Sequence, residues 1–161
     1  MQSVLGLSLA AFTELHVVIS LIGIAAGLIF FAALSGGRWL NMTNGLFLVF
    51  TILTSVTGFL FPPKPFGPPH LFGVISLVAL AIGLYALYGR KLGGWWRPVY
   101  LVTALLAQWL NMVVLVVQSY QKVPELHALA PTGGEPTVLG TQALVAVIMA
   151  VFAWFTLRRK A

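Results

Sequence analysis

HVVISLIGIAAGLIFFAALS, from His16 to Ser35, runs twenty residues without a Lys, Arg, Asp or Glu. About twenty apolar residues are needed to cross the hydrocarbon core of a bilayer as a helix. The stretch therefore reads as a transmembrane span. Four more segments have the same character: Gly45 to Phe61, Leu71 to Tyr88, Tyr100 to Gln118 and Thr137 to Leu157. Residues 4–13 are also apolar and either lengthen the first helix or lie along the membrane surface. The expected fold class is all-α: residues 1–161 form one transmembrane domain, a polytopic bundle of about five spans.

Between the spans lie sequences that resist helix. Ser35-Gly36-Gly37 ends the first span. Pro62-Pro63-Lys64-Pro65-Phe66-Gly67-Pro68-Pro69 separates the second and third, and its prolines lack amide hydrogens and restrict their predecessors. Gly89 to Pro98 separates the third and fourth. Tyr120 to Pro136 is the longest break, with Pro124, Pro131, Gly133, Gly134 and Pro136.

Composition supports the reading. Hydrophobic residues make up 60% of the chain and charged residues 7%, against roughly a quarter charged in soluble domains. The bilayer must be the solvent for most of this surface. The absence of cysteine excludes disulfides, thiolate metal sites and thiol redox chemistry. The net charge of +6 is a topology signal rather than a nucleic-acid signal, because the basic residues sit in short loops. Met1-Gln2-Ser3 lacks the Lys or Arg that opens a secretory signal, so the first apolar segment is expected to stay in the mature protein.

Arg38, Arg90, Lys91, Arg97, Arg158, Arg159 and Lys160 fall on one side, and Lys64 and Lys122 on the other. The excess of Lys and Arg in cytoplasmic loops sets the expectation N-out, C-in, in a bacterial inner membrane. All three acids, Glu14, Glu125 and Glu135, and all three histidines, His16, His70 and His127, then face outward. Trp39, Trp95 and Trp96 sit at the inner boundary, where aromatic belts form.

The faces of the spans carry polar groups but no deep charge. Gly23 and Gly27 form a GxxxG pair that serves packing within the bundle or between subunits. Thr51, Thr54, Ser55 and Gly58 lie at helical spacing on the second span. Gln108, Asn111 and Gln118 recur on the fourth. Carboxamides in hydrocarbon are costly unless paired, so they face the interior. Either they bond to the Thr/Ser face of the second span or they line a ligand pocket.

His16 and His70 are read as opening the first and third spans at one depth, around a pocket shared by the first, third and fourth helices. Glu14 could orient His16, and Glu125 and His127 could fold over from the long outer loop. Three chemistries compete. The imidazoles could hold a haem b between helices. They could join His127 and a glutamate around a metal, although no local ligand spacing supports this. Or they could be interfacial and structural. The chain has no GxSxG, no aspartate, and no phosphate-loop or nucleotide fingerprint. A proton-driven transporter would place an acid or histidine near the midplane.

The residues from His16 to Gly27, Thr51 to Phe59, His70 to Ala79, and Leu115 through Ala130 to Thr132 resemble a group of small bacterial polytopic membrane proteins. That resemblance covers most of the chain and implies a fold but no activity. Lys64-Pro65-Phe66-Gly67-Pro68-Pro69-His70-Leu71-Phe72-Gly73 is similar to the first loop of the tryptophan-rich sensory proteins, five-helix binders of porphyrins and sterols. The likeness is local: the tryptophan is missing, the spacing is a residue short, and the loop follows the second span.

The functional expectation is a non-catalytic binding or accessory subunit in the bilayer. It would hold a lipid, quinone or tetrapyrrole in an outward pocket rimmed by His and Glu, and would work alone, as a homo-oligomer or in a larger complex. The alternative is a haem b electron-transfer protein on His16 and His70, a quinone-linked oxidoreductase if it is an enzyme at all. A small-molecule transporter is the third reading. The orientation is checked directly. A reporter fused after Ala161 should be active only in the cytoplasm, and an outward C-terminus would reverse every statement about sides.

Overall fold

The computed structural model describes residues 3–62 and 67–159. Lys64, the Pro63–Phe66 part of the proline-rich break, and Lys160 lie outside the described residues. The protein is an all-α bundle with five helices long and apolar enough to cross a membrane, and with this composition it is a multi-pass membrane protein. These helices are α1 (Leu9–Ser35), α2 (Asn41–Phe59), α3 (Pro68–Leu84), α4 (Trp96–Lys122) and α6 (Pro136–Arg158); a short α5 (Pro124–Leu129) follows α4. A small antiparallel pairing of β1 (Ser3–Val4) and β2 (Leu7–Ser8) precedes α1.

The helices are longer than the apolar runs, for local reasons. The Ser8 hydroxyl caps α1 by accepting the Ala11 amide at 3.2 Å, so Leu9 to Leu15 extend the first helix instead of lying on the surface. His16 therefore sits about two turns inside α1. α1 ends in a Schellman motif. The Gly37 amide bonds the Leu34 carbonyl at 2.9 Å and the Arg38 amide bonds the Ala33 carbonyl at 2.9 Å. Gly37 supplies the left-handed conformation this requires, with φ of +87°.

Two proline positions correct the sequence reading. Pro68 and Pro69 are the first residues of α3, and Pro98 lies in the first turn of α4. A helix's opening turn has no use for those amide hydrogens, so proline is tolerated there. The far end of α3 runs into one π-helical turn, Tyr85–Gly89, closed by the Arg90 amide on the Tyr85 carbonyl at 2.9 Å.

Side-chain contacts fix an antiparallel order. His16 near the start of α1 meets Thr57 near the end of α2. A Cβ on Gly73 would lie 2.9 Å from the Phe59 ring, and one on Gly83 2.9 Å from Thr103 Oγ1. Tyr120 bonds Thr141 at 3.0 Å, and Arg97 Nη1 donates to the Arg159 carbonyl at 2.8 Å. The six described cations of the expected cytoplasmic set, Arg38, Arg90, Lys91, Arg97, Arg158 and Arg159, thus gather at one end of the bundle. Glu14, Glu125 and Glu135 lie at the other.

α4 is the hub and packs against α1, α2, α3 and α6. α2 packs against both α1 and α3, which are not packed on each other. The expected pocket between the first, third and fourth helices is therefore not built, because α2 intervenes. The core is aromatic toward the cationic end: Phe30, Phe31, Phe47 and Tyr100 are fully buried. Phe31 stacks on Phe152 at 6.3 Å, tying α1 to α6.

Gly23 and Gly27 are spent inside the bundle. A Cβ on Gly23 would lie 3.3 Å from the backbone of Phe50 and Thr51 in α2. One on Gly27 would overlap Gln108 Oε1 and come within 2.7 Å of Gln108 Cδ and 2.8 Å of the Phe47 ring. Of the two uses expected for this glycine face, packing within the bundle is the one seen: α2 and α4 occupy it. Small residues let backbones approach where hydrophobicity offers no drive between helices.

Gly27→Ala should lower stability by about 1–3 kcal/mol, the usual range for overpacking. Unfolding by SDS titration in mixed micelles measures it. Adding Gln108→Ala should return part of that loss, since it removes one of the two side chains in the way. Strict additivity would show that the carboxamide does not sit in the notch.

Candidate functional site

Chemistry-bearing side chains lie in two places: at the acidic end, around His16 and His70, and in the interior between α1, α2 and α4.

His16 is half-buried, and its Nδ1 lies 2.7 Å from Thr57 Oγ1. The Thr57 hydroxyl has one proton and sits 2.7 Å from the Leu53 carbonyl of its own helix. A hydroxyl that donates to the Leu53 carbonyl accepts from His16 Nδ1, which then carries the ring hydrogen. Nε2 is then the unprotonated nitrogen, the atom able to take a proton, a hydroxyl or a metal. The ring stands edge-on to Phe61 at 5.2 Å, and Phe61 meets Phe12 at 5.0 Å. Thr57, not Glu14, orients the imidazole. Glu14 is exposed, and residues two apart on a helix do not share a face.

His70 has the opposite tautomer. Its Nδ1 accepts the Gly67 amide at 3.3 Å, in the first turn of α3. A neutral ring that accepts at Nδ1 holds its hydrogen at Nε2. The ring lies 6.1 Å from Phe59. Thr57, which His16 contacts, and Phe59, which His70 meets, are two residues apart on α2 and point to opposite sides of it. A bis-histidine haem needs an unprotonated nitrogen from each ring on a shared axis. In this arrangement His70 Nδ1 is held by its own helix's first turn and His16 Nδ1 by Thr57 of α2.

The remaining acidic-end residues are not gathered over His16. Glu125 and His127 belong to α5, which packs on α4. His127 Nδ1 lies 3.3 Å from the Tyr120 carbonyl, exposed to solvent. Glu135 is tied to its own turn. Bonds from the Thr132 amide and hydroxyl, each 2.8 Å, hold its carboxyl below the usual carboxylate range. Among the described residues no three His or acid side chains are placed to hold a metal ion.

The interior polar face is real but paired differently from expectation. Gln108 is fully buried, and its Nε2 donates to the Ile24 carbonyl of α1 at 3.1 Å, not to the Thr/Ser face of α2. Turning the amide over would set Oε1 against that carbonyl, so the orientation is fixed by the bond. Gln108 Oε1, Thr51 Oγ1 and Asn111 Nδ2 are buried without hydrogen-bond partners among the described residues. Thr54 bonds back to the Phe50 carbonyl at 2.7 Å. Ser55 is buried and Gln118 half-buried.

Sequence reasoning missed three buried or cross-helix polar contacts. Thr57 was passed over for its neighbours Thr54 and Ser55. The Tyr100 hydroxyl donates to Asn44 Oδ1 between α4 and α2, both side chains buried. Gln142 Nε2 donates to the Val113 carbonyl at 3.1 Å, joining α6 to α4. Asn44 stands in the polar stretch Asn41 to Gly45 ahead of the second apolar run and Gln142 beside Thr141, so neither was singled out by the sequence. No family model, no curated protein and no solved structure matches this chain.

Replacing Thr57 by Val should release the His16 ring. Imidazole nitrogen NMR of protein labelled at histidine should show His16 protonated at Nδ1 in the wild type and a mixture of tautomers in Thr57→Val. An Nε2-protonated His16 in the wild type would overturn the assignment.

Proposed function

We propose that this protein is a non-catalytic binding or accessory subunit of the bilayer, holding a small amphipathic ligand at its outward, acidic end. The observation that carries the reading is His16. It is a half-buried imidazole clamped at Nδ1 by Thr57, with Nε2 as an acceptor beside Phe12 and Phe61. Apolar walls with a few fixed polar groups are what small-molecule sites are made of. Lipids, quinones and tetrapyrroles have the fitting chemistry: an apolar body with a polar group that can donate to, or be ligated by, an imidazole. The bacterial inner membrane and the N-out orientation belong to this reading and rest on the one-sided placement of the cations.

Haem remains within the ligand class through His16 as a single protein ligand, because its Nε2 is available. The test is titration of the detergent-purified protein with haemin and with a short-chain ubiquinone, followed by absorption and tryptophan fluorescence. One of them should bind the wild type, and His16→Ala should weaken it at least about tenfold, or roughly 1.4 kcal/mol. Glu125→Gln, at the same end on α5, should leave binding unchanged. A Soret band that sharpens on reduction and is lost in His16→Ala selects the tetrapyrrole. No binding of either probe, together with no lipid retained through purification, overturns the proposal.

A further inference from the structure

The strongest unassigned feature is at the opposite end of the molecule, independent of His16. The turn between α3 and α4 carries a shallow, open depression of about 520 Å³, lined by Gly89, Arg90, Lys91, Gly93, Trp95 and Trp96 among others. Its shape is specified by the backbone. The π-helical turn throws the chain outward at Gly89, where a Cβ would lie 2.9 Å from the Tyr85 ring. Lys91 and Leu92 then take left-handed conformations, φ +49° and +57°, which are unfavourable for side chains of their kind. The Leu92 amide returns to the Ala86 carbonyl at 3.0 Å and the Gly93 amide to the Arg90 carbonyl at 3.0 Å. Non-glycine residues persist in such conformations only when their surroundings over-determine them.

The cations here differ from those elsewhere at this end. Arg97 is engaged with the Arg159 carbonyl. Arg158 lies 3.3 Å over the Trp154 ring. Arg90 is held 5.2 Å above Trp96, and Trp96 is braced edge-on by Tyr85 at 5.2 Å. That stacking fixes a guanidinium at the depression without neutralising it, since a ring face offers no counter-charge. Lys91 adds a second, exposed cation. Trp95 is 85% exposed beside them, and Tyr85 and Tyr88 are also exposed, at 54% and 67%. Indole and phenol rings so placed mark the headgroup level of a bilayer. Fixed positive charge, a concavity, and aromatic groups at headgroup depth come together in one turn.

We propose that the α3–α4 turn binds the phosphate headgroup of an anionic phospholipid, with Arg90 and Lys91 on the phosphate and Trp95 and Trp96 along the glycerol and upper acyl chains. A lipid is favoured over a free phosphate because the site opens among exposed interfacial aromatics, Trp95, Tyr85 and Tyr88. Charge alone would spread the preference over every cation at this end. At the α3–α4 turn two cations, Arg90 and Lys91, line one depression together with Trp95 and Trp96.

Native mass spectrometry of the full chain, released from micelles with equal amounts of phosphatidylglycerol and phosphatidylcholine, tests this. The wild type should retain phosphatidylglycerol preferentially. Arg90→Gln with Lys91→Gln should cut that preference roughly tenfold or more, given the worth of each cation near an anionic surface. Arg158→Gln with Arg159→Gln removes equal charge from the same end and should leave most of it. Equal loss in both double variants would mean a diffuse field and would overturn the site. So would displacement of the lipid by millimolar inorganic phosphate. A readout that does not depend on the charge variants folding is quenching by brominated lipids in proteoliposomes. Brominated phosphatidylglycerol should quench more than brominated phosphatidylcholine, and the excess should shrink in Trp95→Phe, with Trp96 accounting for what is left. Equal quenching by the two lipids would sink the proposal.

Discussion

A carboxamide in hydrocarbon has to find a partner, and Gln108 finds one in a carbonyl that α1 already uses for its own helix. The Ile24 oxygen takes the Gln108 amide at 3.1 Å, and the side chain passes over Gly27, where no Cβ stands in its way. Without water to compete, leaving such a group unpaired costs several kcal/mol. This one contact therefore fixes how closely α4 approaches α1 and at what height. Gly23, one turn earlier, admits the backbone of α2 at the same level. α2 is drawn in beside α1, and Asn44 of α2 meets Tyr100 of α4. α6 is then located by Phe152 on Phe31 and by Gln142 on the Val113 carbonyl. The bundle is assembled around α4 by single polar hooks set among apolar contacts.

That economy shapes the chemistry left over. Most polar side chains inside the bundle are consumed by bonds to backbone carbonyls, as at Gln108, Gln142, Thr54, Thr103 and Thr156. Groups that escape this fate stand out by contrast. Thr51 Oγ1, Gln108 Oε1 and Asn111 Nδ2 are buried without partners among the described residues, and His16 keeps one nitrogen unprotonated because Thr57 has fixed the other. At the cationic end Arg97 has a donor committed to a carbonyl, whereas Arg90 and Arg158 are held on aromatic faces. The two ends are chemically unlike, and each carries a distinct opportunity for an amphipathic molecule.

The histidines show how local and tertiary information divide. Both could be placed at the acidic end from helix count alone, because alternating spans put odd-numbered starts on one side. Their roles could not be read that way. His16 proves to lie two turns inside α1 because Ser8 caps the helix earlier than the apolar run begins. His70 is drawn into the first turn of its own helix by the Gly67 amide. Tautomers follow from those partners, and partners forty residues apart in the chain, such as His16 and Thr57, leave no periodic trace in it.

By itself the sequence determined that this is a membrane-spanning bundle, how many helices cross, and which end gathers the cations, because those properties depend on the length and composition of single segments. It also placed Gln108 and Asn111 on an inward face and marked Gly23 and Gly27 as points of close approach. Which helix fills each approach was decided only by the tertiary structure. So was the separation of α1 from α3 by α2, and the choice of a backbone carbonyl over the Thr/Ser face as the partner of Gln108. In an apolar solvent every span is equally content to meet lipid, so neighbour choice rests on a few polar bonds and glycine notches whose partners are distant in the chain.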